Sequence, residues 1–381
     1  MISNTLYDFC NKVKRQCINF SLFNAASLGQ YIRHVFPFIV YYFLGMGKSC
    51  LPLNITIELN YDCNLRCKFC FLNFTSKDTY AEKKAYLTYA DIKQILTMFS
   101  RKGVAFLLTG GELALRSDLP DILKLIKQNK IKCGIFTNAT LLNSIVSDCI
   151  IEYGLDFIYF SLDGPQDIHD KLRGDNAFDR TYKNIRYLSG NRKDLRPKII
   201  MNSLILQENY KNLTEVIDIA CELKIDGIAF DFLTFLSSDE LTLHQNSFIK
   251  RFPRDKYKSF VYAHDFLDTE FKDLLSIIRV VKMYAKKRRM KIFFKPELKD
   301  SEISMWFSRD FRFERRCIYP WSVLRISPYG DIFPCAQFCI KMGNIRDNSI
   351  KDIWNSGKFI HFRNALQKEK LFPGCNRCVK L

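Results

Sequence analysis

Cys63, Cys67 and Cys70 stand in C-x3-C-x2-C spacing within Ile57-Glu-Leu-Asn-Tyr-Asp-Cys-Asn-Leu-Arg-Cys-Lys-Phe-Cys-Phe71, directly after a short apolar run. Three is the informative count. A cubane of four irons held by three cysteines keeps one iron without a protein ligand, so that iron can bind a substrate or cofactor as well as carry electrons. Zinc is the alternative. A structural zinc prefers four protein ligands and a catalytic one usually recruits histidine, of which none lies near this triplet.

This arrangement resembles the cluster loop of the radical S-adenosylmethionine (SAM) superfamily, with Phe69 in the aromatic slot before the third cysteine. The resemblance implies that SAM chelates the open iron of a [4Fe-4S] cluster held by Cys63, Cys67 and Cys70. Reductive cleavage then produces a 5′-deoxyadenosyl radical that abstracts a hydrogen atom. In such enzymes the cofactor carries the hard chemistry, and the protein supplies orientation and exclusion of water.

A chain of 381 residues with 48% hydrophobic content suggests one large α/β domain with a smaller addition. Fourteen cysteines exceed structural need, and with no signal peptide in view the reducing interior of a cell, the cytoplasm, is the expected location. Cys10, Cys17, Cys50, Cys133, Cys149, Cys221 and Cys339 follow no ligand spacing and read as packing residues. The net charge of +18 invites a phosphate-binding reading, but the basic residues are scattered. Their densest group, Lys286-Lys-Arg-Arg-Met-Lys291, reads as a solvated helix end. No nucleic-acid module is recognisable.

Residues 1–50 pose a separate question. Leu6 to Leu28 reads as a basic, mildly amphipathic helix, followed by the apolar run Val35 to Met46. That run is shorter than the about 20 residues needed to span a bilayer. It could lie in a membrane interface, giving peripheral contact at the inner face of the membrane, or pack across the catalytic domain.

From residue 53 onwards β-branched or aromatic runs alternate with helical patterns, the signature of βα units and a parallel sheet. Strands are expected near Ile55 to Leu59, Val104 to Leu108, Gly134 to Thr137, Phe157 to Ser161, Ile199 to Leu204 and Gly227 to Phe232, with helices between them. The expected fold is a partial (β/α)6 parallel barrel over residues 51–233. A connecting helical region (234–310) and a small C-terminal cysteine-rich module (311–381) follow. Functional residues of such barrels gather at the carboxyl ends of strands, where the cysteine loop stands.

Later strand ends carry further matches to the superfamily. Leu108-Thr-Gly-Gly-Glu-Leu113 resembles its glycine-glycine-glutamate segment, which implies that Gly110, Gly111 and Glu112 contact the SAM amino group, with Leu113 where proline is usual. Thr137-Asn-Ala-Thr-Leu-Leu142 is similar to the third-strand terminus, with Ala139 where glycine is customary. Phe160 to Gly174 resembles the fourth-strand segment and implies SAM contacts for Ser161 and Arg173, with Asp163 fixing the turn among the cofactor-contacting residues. His169 reads as a structural hydrogen-bonder.

The C-terminal segment brings a second cysteine pattern: Cys317, Cys335 with four residues between it and Gly330, and Cys375-Asn-Arg-Cys378. Four thiolates suit a closed site holding zinc or a fully ligated cubane. The intervening Ser327 to Cys335 and Gly343 to Ser356 resemble the auxiliary-cluster module called SPASM or, shortened, Twitch. That resemblance implies one auxiliary [4Fe-4S] cluster on these four cysteines.

The resemblance further implies an organic substrate and an electron donor such as flavodoxin or ferredoxin. Ala336 stands where sulfatase-maturing relatives carry an aspartate base, which argues against that role. Residues 1–50 are few for the peptide-binding domain of peptide maturases. The sequence therefore leans towards dehydrogenation of a small-molecule, sugar or lipid-linked substrate, with ribosomal-peptide modification as the alternative and an iron–sulfur electron-transfer protein as the reading from another class.

Overall fold

The computed structural model describes residues 37, 39–70, 72, 85–253, 255, 271, 273–335, 337–338 and 340–381. The expected helix over 6–28, with Cys10 and Cys17, and also Ala336 and Cys339, lie outside the described residues.

All six expected strands form, each within one residue of its expected bounds: β1 (Asn54–Glu58), β2 (Ala105–Thr109), β3 (Cys133–Thr137), β4 (Phe157–Ser161), β5 (Lys198–Ile205) and β6 (Gly227–Phe232). Helices α1 (Tyr89–Phe99), α2 (Leu119–Gln128), α3 (Ser144–Glu152), α4 (Gln166–Arg173), α5 (Ala177–Asn191) and α6 (Leu213–Glu222) connect them. The strands pair in parallel in sequence order. Because both faces are covered, β1 and β4 are buried along their whole length, which is why they read as apolar runs instead of alternating ones. Burying each such Ile or Phe is worth about 1.5–3 kcal/mol.

The sheet is larger than the six strands expected. A seventh parallel strand, β7 (Ile292–Lys295), pairs with β6 from within the region read as a helical connection. It is four residues long and half-buried throughout, so neither length nor alternation marks it. The rest of that region holds α7 (Ser238–Arg251), α8 (Leu274–Lys287) and α9 (Asp300–Met305). On the opposite edge, β8 (Val323–Ile326) pairs in parallel with β1, and β9 (Asp331–Phe333) and β10 (Gly343–Asn344) continue antiparallel. The C-terminal module thus extends the barrel's own sheet, whose order runs β10-β9-β8-β1-β2-β3-β4-β5-β6-β7 and which does not close. Helices α10 (Tyr319–Ser322), α11 (Ile350–Trp354) and α12 (Gly357–Glu369) complete it.

Residues 39–44 are helical before β1. The loop after them is fastened by Arg363, which donates to the carbonyls of Pro320, Gly47 and Trp354 and lies between the rings of Trp354 and Phe359. Among the described residues no helix is long and apolar enough to cross a membrane.

Candidate functional site

The first centre forms where the loop after β1 crosses the end of β2. Gly111 N donates to Asn60 O at 2.8 Å and Glu112 N to Asp62 O at 2.7 Å, immediately before Cys63. The approach is so close that a Cβ on Gly110 would stand 2.3 Å from Asn60 O and one on Gly111 2.0 Å from Asp62 O. Gly110 also has φ +141°, a conformation that side chains resist. The two glycines therefore serve first to seat the cysteine loop on the sheet.

Cys63, Cys67 and Cys70 gather with Phe69 against Leu65 and Ala177 in a small apolar cluster. Leu65 N donates to Cys63 Sγ at 3.4 Å, and Asn138 Nδ2 lies 3.8 Å from the same sulfur. Arg173 Nη1 lies 3.9 Å from Cys67 Sγ, with its guanidinium 5.1 Å from the Phe69 ring centre. Burial pushes the Cys63 and Cys67 thiols up, and neighbouring cysteine charge adds to it: Cys67 acting on Cys63, Cys70 on Cys67. The Arg173 charge opposes this at Cys67. These thiols share one electrostatic site. Yet no three His, Cys, Asp or Glu side chains among the described residues converge on a point that would hold a single metal ion.

Glu112 is fully buried, and both its oxygens serve the fold. Oε1 accepts from Thr137 Oγ1 (2.7 Å) and Ala114 N (3.1 Å), and Oε2 from Asn138 N (2.8 Å). Its carboxyl is shifted upward by burial, against the pull of those three bonds. Asn138 passes the connection on, its amide reaching both Asn64 Oδ1 and Cys63. Ala139, where glycine is customary, takes φ +62°, so the turn is kept at some cost in strain.

Asp163 is buried between Arg173 Nε, 2.5 Å from Oδ2, and Leu204 N, 2.9 Å from Oδ1. His169 accepts from Asp163 N through Nδ1 at 3.1 Å, which is the structural role read from the sequence. Ser161 ends β4, buried, in register with Asn202 on β5. Further along the inner face, Asp231 on β6 and Lys295 on β7 are register partners. Burial raises the Asp231 carboxyl and lowers the Lys295 ammonium, each charge partly offsetting the other. Lys295 Nζ lies 4.8 Å from the Tyr159 ring centre, and Tyr159 stacks on Phe136. Asn202 hydrogen-bonds the Asp231 carboxylate, and Asp231 Oδ1 and Asn202 Oδ1 are buried without hydrogen-bond partners among the described residues. Nothing in the local sequence marks these residues, because their shared face exists only once β6 and β7 pair.

The second centre lies in the C-terminal module. Cys317, Cys335, Cys375 and Cys378 line one cavity with Tyr319, Phe338 and Phe362. Burial raises Cys375 well above the ordinary thiol value, and the other three cysteines raise it further. Cys335 is pushed up to about 12 by burial, with Cys317 and Cys378 adding to it against the N–H of Gln337. Four thiols whose thiolate forms would repel one another in one apolar cavity fit a cationic metal group that compensates that charge. Gln337 Nε2 lies 3.6 Å, and Lys380 N 3.5 Å, from Cys378 Sγ. Cys50, Cys133, Cys149 and Cys221 stand as free thiols outside both centres.

Residues 57–229 match the model of the radical SAM superfamily, and residues 317–379 match SPASM, an iron–sulfur cluster-binding domain. The antilisterial bacteriocin subtilosin biosynthesis protein AlbA of Bacillus subtilis is 25% identical over 82% of this chain and 61% of its own length. An AdoMet-dependent heme synthase of Methanosarcina barkeri is 26% identical over 86% of this chain and 88% of its own. Streptococcus suis SuiB bound to precursor peptide SuiA superposes with a TM-score of 0.61 at 18% identity, covering 94% of this chain and 79% of SuiB.

Proposed function

As a radical SAM enzyme with a C-terminal SPASM domain, this chain works with SAM, a [4Fe-4S] cluster and auxiliary iron–sulfur chemistry, and we propose that it abstracts hydrogen from a peptide held in the mouth of its open barrel. The observation that carries this reading is the pairing of an open, three-cysteine site at the end of β1 with a closed, four-cysteine site on the extension of the same sheet. Cys63, Cys67 and Cys70 would hold the SAM-binding cluster, and Cys317, Cys335, Cys375 and Cys378 the auxiliary one. When bound, the first cluster and SAM supply the hydrogen-atom abstraction.

The chain's own residues orient and insulate. Arg173, fixed by Asp163, brings positive charge beside Cys67, and its guanidinium would pair with a carboxylate such as that of SAM. Gly110 and Gly111 let backbone approach the loop, and Ser161 offers a hydroxyl at the end of β4. Phe136, Tyr159 and Phe293 make the inner wall apolar. Within that wall Asp231 and Asn202 present acceptors and Lys295 a cation, a set complementary to amide N–H groups and carbonyl or carboxylate oxygens. AlbA, which takes part in bacteriocin biosynthesis, and SuiB, bound to a precursor peptide, support the peptide class.

Dehydrogenation of a small molecule, sugar or lipid-linked compound is the second reading. The likeness to a heme synthase along 88% of that protein favours an anionic small molecule under it.

The test is anaerobic reconstitution with iron and sulfide, followed by dithionite and SAM. The reading expects about eight irons per chain, 5′-deoxyadenosine that disappears in Cys63→Ala, and loss of hydrogen, seen by mass spectrometry, from a short peptide encoded beside the gene. A fully loaded chain that forms no 5′-deoxyadenosine with or without peptide points instead to electron transfer. Oxidation of an anionic small molecule, with peptides untouched, selects the second reading.

A further inference from the structure

We propose that Glu240, on the helix after β6, is the residue that positions Cys375 and Cys378 as cluster ligands, an inference that rests on the auxiliary site assigned above. Helix α7 turns one face, Glu240, His244 and Phe248, into the protein. These residues recur every fourth position, so they line one side of the helix.

The loop that bears the final two cysteines lies on that face. Its two intervening residues are both taken by Glu240. Asn376 Nδ2 donates to Oε1 at 2.6 Å, and Arg377 Nη1 donates to Oε1 at 2.8 Å and Oε2 at 2.7 Å. One residue earlier, a Cβ on Gly374 would stand 2.7 Å from the His244 ring, so the loop passes against the helix without a gap.

The remaining donors of the pair are also used. Arg377 Nε and Nη2 donate to Trp306 O (2.7 Å) and Ser308 O (2.6 Å), and Asn376 Nδ2 donates also to Phe311 O at 2.8 Å. Arg377 is fully buried and takes φ +58°, a conformation that an unsupported arginine would leave. A buried guanidinium paired with Glu240 fixes the backbone of Cys375-Asn-Arg-Cys378 to α7. Both cysteines then face the cavity they share with Cys317 and Cys335.

Two consequences separate this role from general stabilisation. Without the carboxylate, the cysteines lose their common orientation and the site fails to hold iron. With glutamine, whose single acceptor oxygen can keep the bonds that Oε1 takes from Asn376 and Arg377, a negative charge is removed beside the site and the Arg377 charge is left uncompensated. That favours the more negative, reduced state of a cluster and raises its potential.

The experiment compares the full chain with Glu240→Ala and Glu240→Gln after anaerobic reconstitution, using iron and sulfide per chain and an EPR-monitored redox titration, with Cys375→Ala as the reference for an absent auxiliary cluster. Glu240→Ala is expected to lose about half its iron and to show the Cys375→Ala spectrum. Glu240→Gln is expected to keep its iron with a higher auxiliary midpoint potential and an unchanged SAM-cluster signal. If both variants hold full iron at the unaltered potential, Glu240 does not position the ligands. If Glu240→Ala fails to fold, Glu240→Gln decides alone: full iron at the unaltered potential overturns the proposal. If the unsubstituted chain itself holds only about four irons, the auxiliary site is the assignment that fails, and Glu240 positions nothing.

Discussion

Arg173 and Cys67 stand 106 residues apart in the chain, yet the arginine Nη1 lies 3.9 Å from the cysteine sulfur. Asp163 holds the same guanidinium through Nε at 2.5 Å, so the cation is fixed between a buried carboxylate and the Cys67 sulfur. Burial works against the Arg173 charge, but Asp163, Cys67 and Cys70 outweigh it, and the guanidinium stays firmly protonated.

Replacing Arg173 by methionine is therefore expected to strand Asp163 as an uncompensated buried charge and to cost about 3–5 kcal/mol of stability. The double variant Asp163→Asn/Arg173→Met recovers much of that loss while 5′-deoxyadenosine formation stays impaired. Denaturant unfolding and product assays read the two effects separately. Wild-type product formation in the double variant would remove Arg173 from the site.

Gly111→Ala places a methyl group where Asp62 O now sits 2.0 Å away. Backbone must move, at about 1–3 kcal/mol, and the moving piece carries Cys63. Iron per chain is expected to fall by about half, with the C-terminal cluster retained. Full iron loading in this variant would show that the loop tolerates the shift.

His169 sits buried, and its imidazole is pulled from 6.5 down to about 4 by burial first and the Arg173 charge second. Its neutral form is the one the fold holds, so its contribution is present above pH 6.5 and is lost as pH falls from 6.5 towards 4. The shift corresponds to roughly 3 kcal/mol. Unfolding curves across that window should fall less steeply for His169→Gln than for the wild type. Parallel curves would show that His169 does not titrate there.

Leu44 and Met46, in the segment before β1, are 74% and 82% exposed, with Phe43 beside them. If residues 1–50 contact a membrane surface, as the basic and apolar pattern of that segment proposes, these side chains are the part that inserts. Flotation with phosphatidylglycerol vesicles should carry the wild type and leave Leu44→Glu/Met46→Glu behind. Equal flotation of the two would place any contact elsewhere.

The six-stranded parallel core and the two groups of cysteines that the fold gathers were legible in the chain. A parallel strand buried on both faces, such as Phe157–Ser161, is a continuous apolar run, and Cys63, Cys67 and Cys70 are ligand candidates by spacing within one loop. Both signals are local. Tertiary structure alone decided that Glu112 ties three strand ends together, that Ile292–Lys295 joins the sheet and that the C-terminal module continues it through β8. It alone set Glu240 beneath a loop 137 residues away, where it meets Arg377. A carboxylate's partner depends on which distant backbone packs against it, and a four-residue strand depends on the edge it meets. Neither leaves a periodicity in the chain to be read.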